Sequence, residues 1–302
     1  MEKKELVRKS WRFWDEMKEI IEKISWMPYN IIYNRESKKQ NPIKLNLGDV
    51  GVKKNIIFYV IDNDEGLSKQ LRLFGFREPL NWKKYYYFVD EEDVVLDVGA
   101  NIGLFSILSK NAKKIICVEP IRECIPILEK NLDSNKLLNK SIIINMAVGK
   151  KGRLWLERDT HINLSKVVQK RTKNTQKIKS ELLEYFTKKY KTNLVRMDVE
   201  GYEYEILKQG IPKRINKIAM EFHAGLLGNK KIKEILWLFH KEKFKVRYIV
   251  EDLPLRLYPF YKILKKTRLI KFFTYVKKDL NPLDCYHLIN RGRSIKYLFL
   301  KR

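Results

Sequence analysis

The chain has only three cysteines, Cys117, Cys124 and Cys285. So few, with no CxxC pair among them, exclude a disulfide framework and a thiolate zinc site. Cys117 and Cys124 are expected as small buried apolar residues. Glycine (13) and proline (9) are too sparse for a fibrous or low-complexity chain. No uncharged apolar run approaches the roughly 18 residues that a membrane span requires. The opening Met1–Glu5 is charged rather than apolar, so no secretory leader is expected and the chain reads as cytoplasmic. Acidic residues are also short in supply, 36 against 63 basic ones, which leaves a net charge of +27.

Apolar residues make up 44% of the 302, enough for a sizeable core. The charge is concentrated in two segments. Residues 166–191 hold nine basic and two acidic residues, and residues 253–302 hold thirteen and two. Outside them the chain is mildly basic, as an ordinary globular domain can be.

Residues 5–26 place Leu6, Val7, Trp11, Trp14, Met17, Ile20, Ile21 and Ile24 at helical spacing, with Pro28 as the expected end. Residues 43–47 and 56–61 read as an antiparallel strand pair, and 65–75 as a short helix ending near Gly75. From about residue 93 strand-like runs (94–98, 115–118, 142–148, 194–199, 217–222, 245–250) alternate with helical patterns (103–112, 123–135, 203–209, 229–241). That alternation implies parallel strands with crossover helices, an open α/β sheet. A last strand is expected near 284–290, and a crossover helix within 158–191, where Ile178–Phe186 has helical spacing.

The segment Val94-Val95-Leu96-Asp97-Val98-Gly99-Ala100-Asn101-Ile102-Gly103 reads as a buried strand, a glycine turn and the start of a helix. Gly99 and Gly103 remove side chains where the backbone must turn sharply and where a ligand can lie against it. The spacing is GxxxG rather than GxGxxG, which disfavours a dinucleotide. Asp97, at the strand end, can accept from an ammonium or amide of a ligand. One strand later Glu119 follows Val118, about 20 residues after the glycines, where an acid can accept from both hydroxyls of a ribose.

These motifs, with Val118-Glu119-Pro120, Asn145-Met146-Ala147-Val148-Gly149, Met197-Asp198-Val199-Glu200-Gly201-Tyr202-Glu203 and Glu221-Phe222-His223 in this order, resemble the FkbM family of S-adenosylmethionine-dependent methyltransferases. The resemblance covers roughly residues 70–290. It implies a Rossmann-like seven-stranded sheet and, most often, O-methylation of a hydroxyl on a sugar, glycan or other small acceptor. Residues 1–69 then form a helical and β-hairpin extension, and residues 70–302 the methyltransferase domain, with basic insertions at 158–191 and 252–282. The resemblance further implies that Asp97, Gly99, Ala100, Asn101, Gly103 and Phe105 line the methionine end of the cofactor. Glu119 and Pro120 would sit at the ribose, and Met146 and Ala147 at the adenine. Asp198 and Glu200 would face methyl transfer. Gly75-Phe76-Arg77-Glu78-Pro79 resembles a segment near the cofactor entrance in some members. Arg196 stands where many members have Lys, and is expected to point away from the cofactor.

A hydroxyl acceptor needs a base or a metal to take its proton. The candidates at the strand ends are Asp198, Glu200, Glu221 and His223; His223 is the one histidine beside this cluster, and its unperturbed pKa suits a base near neutrality. Its competing reading is a ring hydrogen-bonded locally at a strand end. Glu203 and Glu205 fit a first-turn dipole role. A divalent metal on Asp198, Glu200 and Glu221 is compatible with their chemistry, but carboxylates alone do not make a site, and none is assigned. His161, His240 and His287 are scattered and expected in structural roles. There is no Asn/Asp-Pro-Pro-aromatic turn at the fourth strand, which disfavours methylation of a base amine. The basic segments 166–191 and 253–302 leave three readings open: a solvated face over the substrate, an anionic membrane surface, or RNA, the last pointing to a tRNA methyltransferase as the alternative function.

Overall fold

The computed structural model describes residues 21, 23, 25–34, 41–47, 55–159, 165–168, 170–290 and 296–302. The helix expected over 5–26 and His161 fall almost wholly outside them. Helix α1 (Trp26–Asn34) carries Pro28 in its first turn, so Pro28 does not end a helix. A proline there gives up an N–H that has no intrahelical partner. Strands β1 (Ile43–Asn46) and β2 (Asn55–Phe58) pair antiparallel. Helix α2 (Leu67–Phe74) stops at Gly75, whose φ of 74° lets its N–H close on the Leu71 carbonyl. Helix α3 (Pro79–Phe88) leads into the main sheet.

That sheet begins with β3 (Val94–Val98), α4 (Leu104–Leu108), β4 (Lys114–Val118), α5 (Cys124–Ser134) and β5 (Ser141–Ile144). Four further strands, β6 (Ala147–Val148), β7 (Gly152–Glu157), β8 (Lys166–Val168) and β9 (Thr175–Glu181), form a separate sheet in the order β6-β9-β7-β8. Helix α6 (Leu183–Tyr190) returns to β10 (Leu194–Met197), α7 (Glu203–Leu207) and β11 (Lys217–Phe222). The remainder is α8 (Ala224–Lys241), β12 (Lys245–Glu251), α9 (Tyr261–Lys266), α10 (Ile270–Phe273), β13 (Tyr275–Leu280), α11 (Tyr286–Ile289) and β14 (Lys296–Lys301).

The main sheet has eight strands in the order β13-β12-β14-β11-β10-β3-β4-β5. Strands β5, β4, β3, β10 and β11 are parallel, and β14 inserts antiparallel between β11 and β12. The order reverses at β3, so a crevice opens beyond the carboxyl ends of β3 and β10, where open α/β sheets take their ligands. The central strands are buried throughout apart from one half-buried end, as parallel strands covered on both faces must be.

Three expectations are corrected. Residues 284–290 are not a strand. Asn281 caps a short 3-10 turn by accepting from the Leu283 N–H (3.0 Å), Pro282 opens it, and α11 follows. The final strand is β14, and the eighth, β13, extends the edge past β12. On β13 Lys277 and Lys278 stand exposed, and edge lysines oppose pairing with another chain. The run 142–148 splits at Asn145–Met146 between the two sheets. Within 158–191, Ile178–Glu181 belongs to strand β9 and only Leu183–Tyr190 is helical. Ile178 and Ser180 are buried while Lys177 and Lys179 are exposed, so the governing period there is two.

One buried cation ties the helical layer to the sheet. Lys217, at the start of β11, donates to the Phe88 carbonyl (3.2 Å), Asp90 (2.5 Å) and Asp93 (2.7 Å). Removing one partner of such a group leaves an uncompensated buried charge. Lys217→Met is expected to lower stability by about 3–5 kcal/mol in urea unfolding, and Asp93→Leu added to it is expected to restore part of the loss.

Candidate active site

The crevice is a cavity of about 960 Å³ of empty space, open solvent included. Of the residues singled out in the sequence, Gly99, Ala100, Asn101, Phe105, Glu119, Pro120, Met146, Ala147, Asp198, Glu200 and Glu221 all line it. Asp97, Gly103 and His223 do not.

The turn after β3 is shaped by protein contacts. Gly99 has φ 77°, and a Cβ there would lie 2.0 Å from the Asp198 carbonyl oxygen. At Gly103 (φ 93°) a Cβ would meet Leu128 at 2.6 Å. Packing within the protein thus excludes a side chain at Gly99, which also lines the cavity, while Gly103 lies away from it. Asp97 does not reach the cavity. It is wholly buried beneath the turn, accepts from Ser106 Oγ (2.6 Å) and pairs with Arg196 (3.4 Å).

Glu119 stands at the end of β4. One carboxylate oxygen accepts from the Asn101 N–H (2.7 Å) and the other from the Ile121 N–H (2.8 Å). Each oxygen retains acceptor capacity toward the cavity. Burial pushes its pKa up to about 7, the two backbone donors opposing. Asn145 donates to the carbonyls of Glu119 (2.9 Å) and Pro120 (3.1 Å) and so fixes the adjoining wall.

At the far end, carboxylates from β10 and β11 gather. Arg196 donates to Asp198 (2.8 Å) and to the Gly99 carbonyl (3.0 Å), and its guanidinium lies 4.0 Å from the Phe105 ring centre. His223, behind the cavity wall, makes a 2.6 Å bond through Nδ1 to Glu203. Its Nε2 lies 3.2 Å from Glu200 and 3.4 Å from Glu221. Burial disfavours the charged ring, but hydrogen bonding to Glu200, Glu203 and Glu221 outweighs it and holds the imidazole pKa well above its ordinary value. His223 is thus set among carboxylates that favour its protonated form. Burial raises Glu221 to about 8, helped by the charge of Asp198, and burial raises Glu200 too. Asp198 goes the other way: burial would raise it, but Arg196 and then His223 hold it below its usual range.

Strain marks the same place. Glu78 (φ 50°), Asn101 (φ 50°) and Glu200 (φ 48°) are non-glycine residues in the left-handed region, and all three line the cavity. The basic segments border it as well. Ser165 and Val167 form one wall. From the second segment, Tyr258 Oη accepts from the Glu78 N–H (2.9 Å), and Phe76 packs on the rings of Tyr258 (4.9 Å) and Tyr261 (4.4 Å). The side chains of Lys262, Lys265, Lys266 and Arg268 face solvent.

Residues 97–246 match the family model of the methyltransferase FkbM domain. A stretch of 56 residues is 46% identical to the tRNA (guanine(37)-N(1))-methyltransferase of Methanocaldococcus jannaschii, covering 18% of this chain and 17% of that relative's length. The chain thus spans about a sixth of the curated relative it matches. Among solved structures, the M. jannaschii tRNA m1G37 methyltransferase aligns at a TM-score of 0.41 and 17% identity, over 82% of this chain and 51% of that one. Precorrin-6y C5,15-methyltransferase from Geobacter metallireducens aligns at 0.39 and 8% identity, over 73% and 87%.

Arg77 and Glu78, expected near the cofactor entrance, both line the cavity; Tyr202 was missed as a cavity residue, and Glu203 was assigned to a helix dipole although it is fully buried against His223. The sequence reading also turned Arg196 away from the site, whereas Arg196 lines it. The signal was present: an arginine inside an otherwise apolar strand requires a buried partner, and the parallel register sets Arg196 opposite Asp97. Arg196→Met leaves Asp97 and Asp198 without their cation, and is expected to lower the melting temperature by roughly 10 °C in calorimetry.

Proposed function

Residues 97–246 belong to the methyltransferase FkbM domain family, and from that premise we propose that the cavity binds S-adenosylmethionine and serves transfer of its methyl group to a hydroxyl of a sugar, glycan or other small acceptor. The observation that carries the reading is Glu119. Its carboxylate is oriented by two backbone N–H groups at the cavity wall, with acceptor capacity left for the two hydroxyls of a ribose. Met146 and Ala147 supply an apolar slot beside it, and the carboxylates of β10 and β11 suit a cationic sulfonium at the opposite end.

Bound there, the cofactor supplies an electrophilic methyl carbon on a sulfonium. The residues of the chain then have two tasks. The first is alignment, since an in-line displacement depends on positioning. Asp198 and Arg196 fix the turn after β3 against β10 and so set the distance between donor and acceptor. The second is the proton. A hydroxyl that accepted the methyl group would have to give up its proton, and a residue of the cavity would have to take it. We assign that proton to Glu221, which lines the cavity and whose pKa burial raises to about 8.

A second reading, an RNA methyltransferase, is favoured by the short 46% likeness to a tRNA methyltransferase and by the solvent-facing lysines of α9. It requires binding of tRNA with a steep salt dependence. Labelled methyl donor incubated with RNA, lipid, glycan and small-molecule fractions separates the two by where the label appears.

Calorimetric titration with S-adenosylhomocysteine tests the cofactor site. The intact chain should bind, and Glu119→Ala should bind about 10- to 100-fold more weakly, the equivalent of losing hydrogen bonds to a charged group. The affinity should rise from pH 6 to 8, because Glu119, with its pKa near 7, is the better acceptor when ionised, and Glu119→Gln should abolish that rise. Equal binding by the intact chain and Glu119→Ala would refute the assignment. Glu221→Gln should lower kcat by roughly 10²- to 10⁴-fold while leaving S-adenosylhomocysteine binding in place.

A further inference from the structure

The geometry points to a divalent-cation site made by Asp198, Glu200 and His223 at the inner end of the cavity. One donor atom from each of the three falls within a sphere of contact in which all lie within 4.8 Å of one another. Two carboxylates and an imidazole are the donor set of a hard-to-borderline ion, with Mn²⁺ the natural probe.

The carboxylates alone would not justify a site; two further observations do. His223 is only 7% exposed, and its Nε2 has no hydrogen-bond partner of proper geometry. Its other nitrogen is tied to the fully buried Glu203 at 2.6 Å, which turns Nε2 toward the carboxylates. A carboxylate on the far nitrogen of a metal-binding histidine is the standard means of fixing its tautomer and raising its basicity. Asp198 repeats the pattern. One oxygen is taken by Arg196 at 2.8 Å, and the other, Oδ1, is buried with no hydrogen-bond partner. Each of the two residues thus has one atom held from outside and one without a hydrogen-bond partner of proper geometry, and both stand beside Glu200.

Asp198 and Glu200 also line the cavity, so an ion there borders the acceptor position. Its chemical role, polarising the acceptor hydroxyl so that its proton passes more easily to Glu221, rests on the methyltransferase reading above; the binding site itself does not.

Titration of the full-length protein with Mn²⁺, followed by the loss of the free-ion electron paramagnetic resonance signal, tests it. One ion per chain is expected, with electron spin-echo modulation from an imidazole nitrogen. Asp198→Asn and His223→Gln should weaken binding at least about tenfold, and Glu203→Gln, which touches no ion, about 10- to 100-fold. A free signal equal to that of a protein-free blank throughout the titration overturns the site. So does bound Mn²⁺ without nitrogen modulation in the intact chain, a readout that does not depend on any variant folding. S-adenosylhomocysteine titrated into the same samples separates the two claims. A chain that binds it but not Mn²⁺ loses the metal site and keeps the cofactor reading; binding of Mn²⁺ alone, with nitrogen modulation, keeps the site and removes the cofactor reading.

Discussion

The guanidinium of Arg196, buried between Asp97 on β3 and Asp198 at the end of β10, is the contact on which the upper face of the sheet depends. Two parallel strands end in carboxylates at the point where the strand order reverses, and like charges so placed repel. Arg196 converts that repulsion into a clamp, and its bond to the Gly99 carbonyl draws the turn onto the neighbouring strand. The glycine is then unavoidable, since a side chain there would strike the Asp198 carbonyl. From the turn follow the placement of Asn101 and its N–H, and from that N–H the orientation of Glu119. A chain of direct contacts thus connects the buried ion pair to the proposed ribose acceptor.

The parts of the fold legible in the sequence were those where one physical rule acts alone. Val94–Val98 and Lys114–Val118 are short apolar runs flanked by turn residues, and nothing competes with burial there. Glu119 was legible because its distance from the glycines is set by one βαβ unit. The reading failed where two periods coexist, as at Ile178–Phe186, whose first half alternates and whose second half is helical. It failed again at 284–290, where an Asn-Pro cap outweighs the strand propensity of the residues that follow. Site chemistry was harder still. Asp97 and Asp198 look alike in sequence, yet one lies under the turn and the other faces the cavity. Glu203 looks like a helix-dipole residue until His223 is brought to it from twenty residues away. Such pairings are set by tertiary packing, which spacing does not encode.

The net charge of +27 takes on a different meaning once it is placed. The lysines of α9 and β13 are exposed, while the cavity is lined by several carboxylates. The second basic segment joins the site through aromatics, with Tyr258 and Tyr261 gripping Phe76 and thereby positioning Arg77 and Glu78 at the cavity wall. Its lysines are exposed, while its aromatic residues reach inward to the segment that lines the pocket.

Within the cavity the decisive feature is that chemically similar groups are driven apart. Asp198 is held ionised by Arg196, whereas Glu221, one strand over and deprived of a guanidinium at that distance, is raised by burial and by the charge of Asp198 itself. A fixed anion beside a more basic carboxylate is the arrangement that divides electrostatic support from proton transfer. His223 lies between Glu200 and Glu221 on one side and Glu203 on the other. The two cationic groups among these carboxylates come from neighbouring parts of one sheet, Arg196 on β10 and His223 just beyond the end of the adjacent β11.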